Sequence, residues 1–151
     1  MSIETSNAQV AERNAVIFRR IIEEGFNQGN LAVLADLVAP DMREHQHGLQ
    51  PGLEGLRATI SGLRRDLPDL TLTIEDVVAD GDKVWARMRG HGSHRDGFFG
   101  LPHTGKPITI DVIDICRFAD GKMVEHWGIP DRFGMLEQLG LLPRPPKTGS
   151  W

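Results

Sequence analysis

The sequence predicts an α+β domain in which helices come first and a curled, cone-shaped antiparallel β-sheet then packs around them. Up to Leu67, apolar residues recur at spacings of three and four; from Leu70 the period falls to two. Two Asp-Gly pairs, Asp80-Gly81 and Asp120-Gly121, each separate two strand-like runs, as hairpin turns do. Helices followed by strands, without interleaving, favour α+β over α/β.

Over residues 8–28, Val10, Ile17, Phe18, Ile21, Ile22 and Phe26 share one helical face with Asn14, so a long amphipathic helix is expected. Ser6 and Gln9 have the spacing of a capping box. A short helix, "LAVLADLV", follows Asn30 as its cap and should stop at Pro40. Leu53, Leu56, Ile60, Leu63 and Leu67 mark a third helix, closed by Pro68. Leu70, Leu72 and Ile74 then alternate with polar residues, opening the first hairpin, which continues through "KVWARMRGHGSH". "RDGFFGLPHTGKP" holds too much glycine and proline for a strand and joins this hairpin to "PITIDVIDICRF" and "KMVEHWGI". Residues 1–151 are read as one domain with its core over about 8–142 and a Pro-rich tail, 143–151, without regular structure.

Composition narrows the function classes. The 151 residues are 40% apolar with a net charge of −4, and no Lys or Arg run exceeds two, so nucleic acid is an unfavoured partner. No leader-like start and no apolar run long enough to span a bilayer are present, which predicts no membrane partner and a cytoplasmic protein. The single cysteine, Cys116, lies in the apolar run "VIDIC" and reads as a buried, inert thiol. A nucleophile elbow, a phosphate loop and a dinucleotide fingerprint are all missing.

A cone of sheet closed by a helix would enclose an apolar pocket, and its inward polar groups would set the chemistry. On the last strand Met123, Glu125, Trp127, Ile129 and Asp131 share one parity; with Trp127 facing the pocket, Asp131 would face it too. A carboxylate on an apolar wall is suited to moving protons, although Asp131 also stands where a helix N-cap belongs. His45 and His47, two apart, would share a face of a short strand as hydrogen-bond donors, proton carriers or the beginning of a metal site. His91 and His94 should face opposite sides, His126 should face away from Trp127, and His103 falls in the Gly/Pro loop. These placements oppose convergence on a metal. Asp114 and Arg117 read as a charge pair on the outer face. Trp127, Trp85, Phe18 and Phe99 are candidates for stacking on an aromatic ligand, with plain core as the alternative.

The segment from "PDLTLTIEDVVADGD" through "GSHRDGFFGLPHTGK" and "RFADGK" to "EHWG" and "QLG", with the opening "FNQGNLAVLADLVAPDM", resembles the SnoaL-like polyketide cyclases, or ester cyclases, of the nuclear transport factor two-like fold. The resemblance covers about residues 10–142 and implies a cofactor-free intramolecular aldol condensation on a small hydrophobic, polyketide-like substrate. It implies Asp131 as the acid/base group, His45 as its catalytic partner with His47 as the alternative match and a substrate-binding residue, and a homodimer built on the sheet's outer face or a homotetramer. Two departures stand out: "HRDG" replaces a small residue and glycine directly after the histidine, and Ile115 and Cys116 occupy positions where a further histidine is expected. The alternatives are an isomerase, dehydratase or hydrolase of the same fold, or a non-catalytic ligand-binding or dimeric scaffold module.

Overall fold

The computed structural model describes residues 6–95 and 100–142; Phe99 and the tail 143–151, both singled out above, lie outside the described residues. Helix α1 (Asn7–Arg20) starts on the expected capping box, with Ser6 Oγ accepting from Gln9 N at 3.2 Å and Gln9 Oε1 accepting from Ser6 N at 3.1 Å. It runs without interruption into a π-helical segment, Ile21–Asn27, so the single helix expected over 8–28 is present with its last turns widened. The widened segment buries Ile21, Ile22 and Gly25 together.

Asn30 accepts from Val33 N at 3.4 Å in the turn that leads into α2 (Leu34–Leu37), but the N-cap of this single-turn helix is Val33, without a side-chain cap, and not Asn30 as expected. The chain becomes extended at Val38, before Pro40, and continues as strand β1 (Val38–Glu44). Proline is tolerated there because β1 is an edge strand, paired among the described residues with β5 alone and parallel to it. Helix α3 (Gly52–Asp66) follows, then β2 (Thr71–Asp80), β3 (Lys83–Ser93), β4 (Pro107–Ala119) and β5 (Lys122–Pro130), in sheet order β1-β5-β4-β3-β2. The sheet is therefore antiparallel except at the β1 edge. Asp120 (φ 50°) and Gly121 (φ 77°) both take the positive φ that a type I′ hairpin turn requires, which fits the Asp-Gly signal.

The inward faces of β3 and β4, carrying Val84, Met88, Cys116 and Phe118, pack on Phe18 and Ile22 of the first helix and Ile60 of α3. Truncating a fully buried side chain such as Met88 or Ile60 to alanine costs about 2–5 kcal/mol. A second cluster of Leu67, Leu70, Ile108, Met135 and Leu139 sits beneath α4 (Arg132–Gln138). Gln138 fastens α4 to β4 by accepting from Thr109 N (2.8 Å) and donating to Thr109 O (2.9 Å).

The β4–β5 register decides which side chains meet. Asp114 pairs with Gly128 and Cys116 with His126, whereas Ile115 pairs with Trp127 and Arg117 with Glu125. Phe118 then pairs with Met123, so Val124 is an extra, bulged residue. Counting by twos across that bulge reverses the faces: Met123 is in the core, while Glu125, Trp127 and Ile129 lie on the outer face. The expectation that Trp127 faces the pocket is thereby corrected, and with it the inward parity inferred for Asp131.

Candidate functional site: a buried imidazole between two carboxylates

The first helix, α3 and the concave face of the sheet enclose a cavity with about 140 Å³ in which the centre of a water molecule can move. Its walls are mostly aliphatic and aromatic, with Phe18, Ile22, Leu63 and Val112 among them. The polar side chains that reach it are Glu44, Gln46, Thr59, Asp114, His126 and Arg132. Thr59 is spent on its own helix, donating to Gly55 O at 3.0 Å. Arg132 donates to His47 O at 2.7 Å, tying α4 to the segment after β1.

Three of these groups form a unit. His126 Nδ1 lies 2.7 Å from Glu44 Oε1 and its Nε2 lies 3.4 Å from Asp114 Oδ1. The arrangement follows from strand pairing: Glu44 of β1 is the parallel partner of His126, and Asp114 stands one inward step along β4 from Cys116, the residue opposite His126. All three side chains are nearly buried, at 3%, 12% and 12% exposure for Glu44, His126 and Asp114. Glu44 Oε1 also accepts from Gln46 N at 2.8 Å, which fixes the carboxylate. Burial alone would lower the imidazole's pKa, but hydrogen bonds and charge attraction from Asp114 and Glu44 outweigh it and hold His126 up at about 10. At neutral pH the ring is an imidazolium between two carboxylates, an acid whose Nε2 proton points toward a potential base at Asp114 Oδ1. Cys116 lies deeper in the same wall, and burial, with Asp114 and Glu44 adding to it, pushes its thiol well above the ordinary range. It is inert, as its setting in "VIDIC" suggests.

The residues singled out from sequence are distributed differently. Phe18 lines the cavity. Trp127 lies on the outer face, stacked on His45 with ring centroids 4.7 Å apart and planes 3° from parallel. His45 Nε2 is 2.8 Å from Glu125 Oε2, and Arg117 Nε donates to Glu125 Oε1 at 3.0 Å. His45 therefore belongs to an outer cluster, because it follows Glu44 by one residue and alternates to the other side. His47 is exposed and supplies its backbone carbonyl to Arg132. Trp85 is 53% exposed on the outer face of β3, opposite Ile115. Asp131 is exposed and acts as the N-cap of α4, accepting from Gly134 N at 2.9 Å, between the cavity-lining Pro130 and Arg132.

Two cavity groups were assigned elsewhere from sequence. His126 does alternate away from Trp127, as expected, but the side it turns to is the cavity. Asp114 is not an outer-face partner of Arg117: residues three apart on a regular strand face opposite sides, and that spacing was the available signal. Glu44 had no signal beyond its place next to His45.

Comparison with known proteins agrees with this architecture. The family model described as SnoaL-like polyketide cyclase matches residues 16–139. Aklanonic acid methyl ester cyclase DnrD of Streptomyces peucetius is 27% identical over 131 residues, covering 82% of this chain and 88% of that protein. Nogalonic acid methyl ester cyclase of Streptomyces nogalater is 24% identical over 120 residues, covering 76% and 89%. Among solved structures, TsrD from Streptomyces laurentii superposes with a TM-score of 0.80 at 30% identity, covering 87% of this chain and 97% of TsrD. IdmH from Streptomyces antibioticus gives 0.74 at 35% identity, covering 84% and 98%. With its helices closing a curved sheet around a mostly apolar cavity, and with the family's sequence pattern running from the first helix into α4, the chain belongs to the SnoaL-like polyketide cyclase family.

Proposed function

We propose that the protein is an ester cyclase that closes a ring of a polyketide-like methyl ester by cofactor-free intramolecular aldol condensation, with Asp114 as base and His126 as acid. The observation that carries this reading is the buried Asp114–His126–Glu44 unit on the wall of an otherwise apolar cavity. Asp114 removes a proton from a carbon flanked by carbonyls, leaving the C–H electron pair in an enolate. The enolate carbon bonds to a second carbonyl carbon of the same molecule, and that carbonyl's π electrons move to its oxygen. His126 donates its Nε2 proton to the new alkoxide. The proton held by Asp114 then passes back across the 3.4 Å contact to His126, so no net proton or electron is consumed. Glu44 keeps the ring oriented and charged, and the apolar walls strengthen these interactions by excluding water. Binding a flexible substrate in its one reactive fold supplies the remainder.

Asp131 is the competing base, as the family resemblance implies, and its place beside the cavity-lining Pro130 and Arg132 makes it testable. Aklanonic acid methyl ester, the compound named for the DnrD relative, is the first substrate to try. Asp114→Asn should lower kcat by about 10²–10⁴-fold with the fold intact, whereas Asp131→Asn should retain most activity. The reverse pattern would return the base to Asp131.

The same reading includes a homodimer. Trp85, Ile113 and Ile129 are exposed on the outer face of the sheet, flanked by the Arg87–Asp76 and Arg89–Asp111 pairs, whose balanced charges suit a second copy of the same surface. Sedimentation should give a dimer, and Trp85→Glu a monomer; an unchanged mass would remove this face as the interface.

A further inference from the structure

Gly128 pairs with Asp114 in the β4–β5 register, between the cavity-lining His126 and Pro130. A methyl group on its Cα would overlap Gln46 Oε1 and stand 2.9 Å from His126 Cε1 and 3.0 Å from Asp114 Oδ1. The Gln46 amide, the His126 ring and the Asp114 carboxylate thus converge over one bare Cα. Gln46 is held there by its main chain, with its N–H donating to Glu44 Oε1 at 2.8 Å and its carbonyl accepting from Leu49 N at 3.2 Å. Its side-chain amide lines the cavity and makes no hydrogen bond among the described residues. A primary amide carries two N–H donors and one acceptor without charge, so it can bind a carbonyl oxygen beside a carboxylate without neutralising that base.

We propose that Gln46 is the carbonyl-binding residue of this cavity and that glycine at 128 is what seats it: the amide donates to an oxygen of a dicarbonyl ligand held over Asp114 and His126. The proposal rests on the cyclase reading for its substrate but not for its geometry. Two features distinguish it from simple packing. Among the described residues the amide makes no hydrogen bond, and any side chain at 128 would collide with it.

The test is calorimetric titration of aklanonic acid methyl ester into the wild type, Gln46→Met, Gly128→Ala and the double variant, with turnover measured in parallel. Gln46→Met keeps the length of the side chain and removes the donors, and should weaken Kd about tenfold, the upper end for one neutral hydrogen bond. Gly128→Ala should weaken it as much by displacing the amide, and the double variant should bind no worse than Gly128→Ala alone. A Gln46→Met affinity within twofold of wild type overturns the proposal, and this variant carries the test even if Gly128→Ala fails to fold. Wild type that binds without turning over removes the cyclase reading while leaving the Gln46 comparison decisive. Wild type that does not bind overturns both.

Discussion

The two faces of the β1–β5–β4 region carry nearly the same chemistry one residue out of step, with opposite consequences. Inside, Glu44, His126 and Asp114 form a carboxylate–imidazolium–carboxylate unit at 12% exposure or less. Outside, His45, Glu125 and Arg117 form an imidazole–carboxylate–guanidinium unit, with Arg43 Nη1 at 3.8 Å from Glu125. Glu125 is itself largely covered, but His45 is 36% exposed and Arg43 71%, so water shares the outer charges. The inner unit has no such outlet: each group answers only to its partners and to whatever enters the cavity. Residue type does not separate a site from a surface cluster here; desolvation does.

The largest test of that contrast is His126→Gln. It should lower turnover of the methyl ester by about 10²–10⁴-fold while far-ultraviolet dichroism stays native, because it removes the acid and leaves the cavity shape nearly unchanged. Retention of full activity would mean that the inner unit is structural.

Stability against pH separates the faces next. His126 titrates at about 10 in the fold against 6.5 unfolded, so the protonated ring's stabilisation is complete below about pH 6.5 and is lost as pH rises to about 10. The unfolding free energy from denaturant melts should fall across that window by on the order of a few kcal/mol, and His126→Gln should flatten the slope. Glu125 runs the other way: hydrogen bonds from His45 and Arg117 hold its carboxyl below the ordinary range, so its contribution is present above that range and lost as pH falls. Glu125→Gln should reduce the acid-side slope and leave the alkaline side alone.

Much of the fold was legible because periodicity and turn chemistry are local. The Ser6–Gln9 capping box, the apolar stripe of the first helix, the stop before Pro68 and the Asp120-Gly121 turn each depend on residues within a few positions of one another. The candidate site was not legible, because it depends on register. One bulged residue, Val124, inverts the parity linking Met123 to Trp127, and the parallel seating of β1 on β5 brings Glu44 to His126 across 82 positions. No local pattern encodes either. The resemblance to a family raised Asp131 and His45, yet the pairing geometry puts one at a helix cap and the other on the outer face.

Asp131 itself offers a smaller effect. Its carboxylate satisfies the Gly134 amide at the start of α4, whose Met135 and Leu139 complete the second core cluster. Asp131→Ala should cost about 1 kcal/mol by loss of the cap, whatever its effect on turnover. If stability is unchanged but activity collapses, the cap is incidental and the carboxylate belongs to the reaction.

The smallest expected effect is at His45. Its ring lies against Trp127 and Glu125 on the far side of the sheet from the cavity, and Trp127 and Glu125 remain to cover the same backbone when it is removed. His45→Ala should leave kcat/KM within about twofold of wild type and stability within about 1 kcal/mol, as for a partly solvated pair. Steady-state rates and denaturant melts at pH 7 check both. A large loss of activity with normal stability would show that the outer cluster acts on the reaction, although His45 stacks on Trp127 on the face away from the cavity. A neighbouring copy of the chain is the route to test for such a loss: repeating the measurement across a dilution series that would dissociate the proposed dimer tells whether the outer face is a second participant or only a surface.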